Sequence, residues 1–61
     1  MNLYDFILLA LEDYFKCVIW DCNKRCVVFE GELSDIPDKY LNMDLGSWEI
    51  TEDGKIGINV V

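Results

Sequence analysis

Histidine is absent from the 61 residues, so any chemistry in this chain has to come from thiols, hydroxyls and carboxylates. Histidine is the commonest general base and metal ligand in proteins. The only serines, Ser34 and Ser47, have no evident base to activate them, and the four glycines are scattered rather than gathered in a phosphate-binding loop. The sequence therefore predicts no catalytic residue and no cofactor, and we expect a protein that is not an enzyme.

Three cysteines follow the spacing C-x4-C-x3-C, at Cys17, Cys22 and Cys26. A structural zinc ion takes four ligands, usually from C-x2-C pairs, so Asp21 or another acid would have to complete the set. Cys17 and Cys26 are predicted to pack as small apolar residues on paired strands, and Cys22 to be exposed in a turn. We expect no metal. Asp5 interrupts the start of any signal peptide, and the odd number of thiols then indicates the cytoplasm.

Acidic residues dominate the charge, with twelve acids against five bases and a net charge of −7. The pairs Glu12/Asp13 and Glu52/Asp53 lack the spacing of a calcium loop and are interpreted as solvated turn charges. Acidic surface repels phosphate groups and anionic lipid, so direct contact with nucleic acid or membrane is not expected. The charge either keeps the domain in solution or attracts a basic protein partner.

The stretch 15–32 contains two apolar runs around a polar turn, which is typical of a β-hairpin. Residues 15–20 are β-branched and aromatic, residues 21–24 favour a turn, and residues 25–32 form the return strand. Gly31 is expected to mark a bulge or the end of that strand. Both sides of the first strand carry apolar residues, so neither face of it is predicted to be fully solvated.

The N-terminal stretch predicts a helix that begins with Asn2 as its cap and Asp5 near its positive end. Its apolar residues recur at helical spacing at Leu3, Phe6, Ile7, Ala10 and Leu11. Tyr4, Leu8 and Leu9 widen this apolar face, which indicates a helix covered on more than one side. Glu12 and Asp13 are assigned to the exit loop.

The second half predicts a short helix and another hairpin. Ser34 or Asp35 is expected to cap the helix, with Pro37 in its first turn. The residues expected to face inward are Ile36, Tyr40 and Leu41. The hairpin joins 45–51 to 55–61 through a turn with Gly54 in the left-handed conformation. Its alternating pattern predicts one dry face, including Trp48 and Ile50, and one solvated face.

These elements predict a single α+β domain over residues 1–61, with the order α-β-β-α-β-β. We expect two layers, with the N-terminal helix packed on a four-stranded antiparallel sheet. The sequence leaves the strand order open.

Apolar residues make up 52% of the chain, which is more than so small an interior can hold. Self-association as a homodimer would cover the excess, and tryptophan is enriched at interface hot spots. The residues predicted to form an interaction surface are Tyr4, Leu8, Leu11, Val18 and Trp20.

The segments LYDFI, VIWD, VVFEGELSDIP, KYL and DGKIGINVV together resemble short acidic proteins encoded by phages and integrative elements of gram-positive gut bacteria. The resemblance covers nearly the whole chain and carries over no catalytic residues. It implies a mobile-element origin. Our leading hypothesis is a self-associating, non-enzymatic interaction protein.

The alternative is an acidic inhibitor, or DNA mimic, that occupies a basic nucleic-acid-binding host protein, by analogy with other small acidic phage proteins. It predicts that many acids share one face, drawn from Glu12, Asp13, Asp35, Asp38, Asp44, Glu49, Glu52 and Asp53.

Overall fold

Two short helices and a four-stranded mixed β-sheet make up the chain in a computed structural model that describes residues 1–10 and 16–61. The elements are α1 (Leu3–Ala10), β1 (Lys16–Asp21), β2 (Cys26–Glu32), a 3-10 helix (Leu33–Asp35), α2 (Asp38–Leu41), β3 (Leu45–Ile50) and β4 (Ile56–Val60). The α+β class is confirmed. The order of helices differs from the prediction, because a 3-10 helix stands between β2 and α2.

The strands lie in the order β2-β1-β4-β3, with β1 parallel to β4 and the two hairpins antiparallel within themselves. The prediction of an antiparallel sheet throughout was wrong. Residues 33–44 carry the chain from the end of β2 back to the opposite end of the sheet, so β3 runs in the direction of β2. Such a crossover needs about a dozen residues, whereas antiparallel neighbours need only a tight turn.

One face of the two central strands is buried. Cys17 and Ile19 of β1 lie in register with Ile56 and Ile58 of β4, and all four side chains are almost inaccessible to solvent. The other buried members of the core are Leu3, Phe6, Leu33, Ile36 and Val60. Alternation along central strands places every second side chain under the helical layer, and this explains the two-layer arrangement.

Helix α1 begins as the sequence predicts, since Asn2 Oδ1 accepts the Asp5 backbone N–H at 2.9 Å. The N-terminal residues 1–3 form backbone hydrogen bonds with residues 43–45 at the start of β3. Leu3 N–H donates to Met43 O and Leu45 N–H donates to Met1 O, both at 2.9 Å. This pairing covers the first part of the outer edge of β3. The predicted exit loop and the predicted start of the first strand at Phe15 lie outside the described residues.

Strand β2 departs from the prediction at its start. Arg25, predicted as its first residue, is the last turn residue and has a φ of 57°. The bulge lies between the pairs Ile19–Phe29 and Trp20–Val27, whereas Gly31 sits in the regular ladder opposite Cys17.

The connection to β3 differs locally from the predicted helix. Ser34 and Asp35 belong to the 3-10 helix, and Pro37 precedes α2 instead of lying in its first turn. Ile36 is buried and Tyr40 packs against the core, as does Leu41, which confirms that these residues face inward. Within the ranges described, no helix is long and apolar enough to cross a membrane.

Candidate functional site

The second face of the sheet carries an apolar stripe that the structure leaves open. Val18 and Trp20 point away from the buried face of β1, and Val27 lies opposite Trp20 on β2. Trp20 is 40% exposed and Val27 is 51% exposed. We call the side of the sheet that bears Val18, Trp20 and Val27 the open face. Two of its residues, Val18 and Trp20, were predicted for the interaction surface, and Val27 was missed.

A shallow groove of about 450 Å³ runs across the open face. Its floor is Gly57 of β4, which pairs with Val18 on one side and with Glu49 of β3 on the other. Trp20 and Val27 form the wall beyond Val18. Because glycine has no side chain, the centre of the sheet is bare at this point, and a neighbouring molecule could reach the backbone there.

The charged groups at this side of the sheet are mainly carboxylates. Lys55 Nζ lies 2.7 Å from Glu30 Oε2 and 3.7 Å from Asp53 Oδ2. The hydrogen bond and charge of Glu30 raise the pKa of Lys55, while a hydrogen bond from the Thr51 hydroxyl is the main cause that lowers the pKa of Asp53. Glu49 forms no ion pair with any described residue. The groove therefore combines apolar contacts with an unneutralised carboxylate.

A second exposed region is the outer edge of β3. Trp48 is 51% exposed and Ile50 is 59% exposed, although both were predicted to lie on the dry face. They do point to the helical side, in register with Ile58 and Ile56, but β3 is an edge strand that the helices cover only in part. The ring of Trp48 meets Phe6 of α1 at a centroid distance of 5.2 Å. The prediction that these side chains are buried was wrong. Their burial depends on whether β3 is a central or an edge strand, and the sequence leaves the strand order open.

The structure divides the predicted interaction surface between the two layers. Tyr4 and Leu8 are exposed on α1, in the helical layer, whereas Val18 and Trp20 lie on the open face. Leu11 is outside the described residues. A single flat partner surface cannot contact both groups at once.

The cysteines offer little chemistry. Burial raises the pKa of the Cys17 thiol to about 11, so the reactive thiolate form is scarce at neutral pH. Cys22 is exposed as predicted, but Cys26 is also exposed, because it opens β2 next to the turn. The part of the chain that the structure describes contains no cluster of three cysteine or acidic side chains able to hold a metal.

The acids are spread over both layers of the described chain. Glu30 and Glu49 lie on the sheet, Asp38 lies on α2, and Asp53 lies in the second hairpin turn. Of the other acids named for the alternative hypothesis, Glu12 and Asp13 lie outside the described residues. Such a distribution favours a solubilising role for most of the charge.

Comparison of the chain with protein-family models, with curated proteins and with solved structures found no match.

Proposed function

We propose that this chain is a small non-enzymatic interaction protein that associates with itself. The supporting observation is that the fold leaves apolar side chains exposed on both sides of its sheet, Trp20 and Val27 on the open face and Trp48 and Ile50 on the edge strand β3. Removing apolar surface from water contributes about 25 cal/mol per Å², so an assembly that covers these side chains is favoured. A second copy offers the same surface and needs no further component.

The proposal includes a cytoplasmic location and an origin in a phage or other mobile element. The free thiols of Cys22 and Cys26 are compatible with a reducing compartment. The origin is supported by the resemblance of the segments quoted above.

Sedimentation velocity over a concentration series tests self-association directly. Between about 1 μM and about 1 mM, we expect the mass to rise from that of the 7.1 kDa chain to twice that value. The range covers binding free energies from about −8 to about −4 kcal/mol. A single-chain mass at every concentration would contradict the proposal.

A second candidate function is inhibition of a basic, nucleic-acid-binding partner. It is supported by Glu49, which lies beside the apolar groove and forms no ion pair within residues 1–10 and 16–61, while Lys55 is already held by Glu30 and Asp53. An arginine side chain of the partner would fit this combination, since its guanidinium can bind a carboxylate and stack on a tryptophan such as Trp20.

Calorimetric titration with an arginine-rich peptide at low salt tests this second function. The change E49Q should weaken binding about tenfold, as expected for loss of a charged contact of about 1.4 kcal/mol. The matched control D35N also removes one carboxylate, but from the 3-10 helix, and should leave the affinity unchanged. Equal effects of the two variants would mean that only net charge matters.

A further inference from the structure

We infer that two copies join by antiparallel pairing of β3 with β3, in a register centred on Trp48. This inference rests on the proposed self-association and adds the surface and the alignment of the strands. It joins two four-stranded sheets into one continuous sheet of eight strands.

The two outer strands of the sheet differ in how well they are protected from pairing. Both edge strands carry a bulge, β2 at Val28 and β3 at Gly46, but β2 also carries two acids, Glu30 and Glu32, which discourage strand addition. From Gly46 to Ile50, β3 carries one charge, Glu49, and two exposed apolar side chains. An apolar edge with few charges is a template for another strand.

The backbone of β3 is oriented for such pairing. Thr51 N–H donates to Lys55 O at 2.8 Å and therefore points toward β4. Because N–H groups alternate along a strand, those of Trp48 and Ile50 point outward, and no described residue accepts them. Leu45 N–H already donates to Met1 O and Gly46 is the extra residue of the β3 bulge, so the regular ladder that remains available is residues 47–50.

Two-fold symmetry restricts the register of this segment. Residues that face each other across an antiparallel pair lie on the same side of the sheet. The two-fold axis must therefore lie midway between one residue of β3 and the same residue of the second copy. Centring on Ser47 would require Leu45 and Asp44, which already pair with the N-terminal segment. Centring on Glu49 would place two carboxylates directly opposite each other, which is destabilising.

Centring on Trp48 avoids both conflicts. Trp48 meets Trp48 of the second copy, and each Ser47 hydroxyl lies opposite a Glu49 carboxylate. Each Ile50 lies opposite the bulge at Gly46, where a Cβ would approach Val61 Cγ1 to 3.1 Å and Asn59 O to 3.2 Å. The tight site explains the glycine.

Cysteine cross-linking between two different variants tests both the edge and the register. S47C and E49C are prepared separately in a C22S/C26S background, mixed at a concentration where wild type is dimeric, and oxidised. Positions 47 and 49 of opposite copies would form a non-hydrogen-bonded pair with about 4.5 Å between Cα atoms, within the range for a disulfide. Identical positions would be about 7–8 Å apart, which is too far. We expect the mixed species to exceed either homodimer at least tenfold by intact mass.

The other outcomes separate this inference from the proposed function. A majority of S47C or E49C homodimers would overturn the register. A wild-type dimer without any cross-link would overturn the β3 edge but leave self-association standing. A wild-type chain that stays monomeric at every concentration would overturn both the proposed self-association and the β3 pairing.

Amide hydrogen exchange gives a second measurement that needs no substitution. Exchange at Trp48 and Ile50 should slow at least tenfold between dilute and concentrated wild type, since their outward N–H groups become hydrogen-bonded. A different outcome is that the chain stays monomeric at high concentration and these amides are protected only when an extended peptide is added. That result would show that the β3 edge binds a foreign strand, and it would overturn the inference that a second copy binds there.

Discussion

Asp21 is the residue on which the first hairpin depends. Its side chain is buried, and Oδ1 accepts the N–H groups of Asn23 at 2.8 Å and Lys24 at 3.2 Å. Its backbone carbonyl accepts the N–H of Arg25 at 2.7 Å, in the turn where Arg25 adopts the left-handed conformation. A buried carboxylate is tolerated here because it satisfies backbone donors that would otherwise lack a partner.

D21A should lower the free energy of unfolding by about 2 kcal/mol, because it leaves two turn N–H groups without their charged acceptor. D21N keeps an oxygen in the same place and should lose less. The control D35A removes an exposed carboxylate with no described hydrogen bond and should stay within about 0.5 kcal/mol of wild type. Urea unfolding measures all three, and equal midpoints for D21A and D35A would contradict the role of Asp21.

At the scale of elements, the second hairpin contains two glycines with different roles. Gly54 lies in the turn with a φ of 84°, whereas Gly57 lies in β4 with ordinary extended backbone, and an added Cβ there would have normal contacts of 3.4 Å or more. G54A should therefore cost about 1 kcal/mol in unfolding free energy, and G57A should be neutral or slightly stabilising. Denaturant unfolding distinguishes them. A larger loss for G57A would mean that the groove floor does not accept a side chain.

The same hairpin contains a pH-dependent contact. The Thr51 hydroxyl, assisted by the charge of Lys55, lowers the pKa of Asp53 below its ordinary value of 3.8 in the folded chain. Because the folded state then favours the carboxylate, its stabilisation is complete above the unfolded pKa and is lost as pH falls through the folded one. The pKa of Lys55 is raised above 10.5, so its stabilisation is present below that pH and disappears in stronger base.

D53N should be less stable than wild type near pH 6, and the difference should vanish as pH falls to about 2. E52Q removes a neighbouring exposed charge that has no described partner, and its difference from wild type should not follow that pattern. Thermal unfolding of the three chains across this pH range is the measurement. A constant gap between D53N and wild type would show that Asp53 does not titrate below its ordinary pKa.

At the scale of the whole molecule, net charge and apolar surface act in opposite directions on assembly. Each chain carries −7, so two copies repel each other while their exposed apolar side chains favour contact. Salt weakens the repulsion, because the Debye length shrinks from about 10 Å at 0.1 M to about 3 Å at 1 M.

Self-association should therefore tighten as salt rises from about 0.1 M to about 1 M, as measured by sedimentation equilibrium. Binding of a basic partner should weaken over the same range, because its attraction is screened. A dimer that dissociates in high salt would indicate that ion pairs, rather than apolar contacts, hold it together.

Local sequence signals predicted most of the elements and one turn. The Asn2 cap, the hairpin strands and the left-handed Gly54 follow from residue type and spacing, which act over a few neighbouring residues. Cys17 was predicted to pack as a small apolar residue and is buried, whereas the apolar residues on both sides of β1 left open which of its faces forms the core. For the candidate site, sequence alone named Val18 and Trp20.

Only the tertiary structure decided which strands are central and which are edges. The alternating pattern of β3 is the same whether helices cover it or not, so Trp48 and Ile50 could not be identified as exposed from sequence. The parallel pairing of β1 with β4 depends on contacts between residues about 40 positions apart, which no local pattern encodes. Composition determined that apolar surface would remain outside the core, and the strand order determined where it lies.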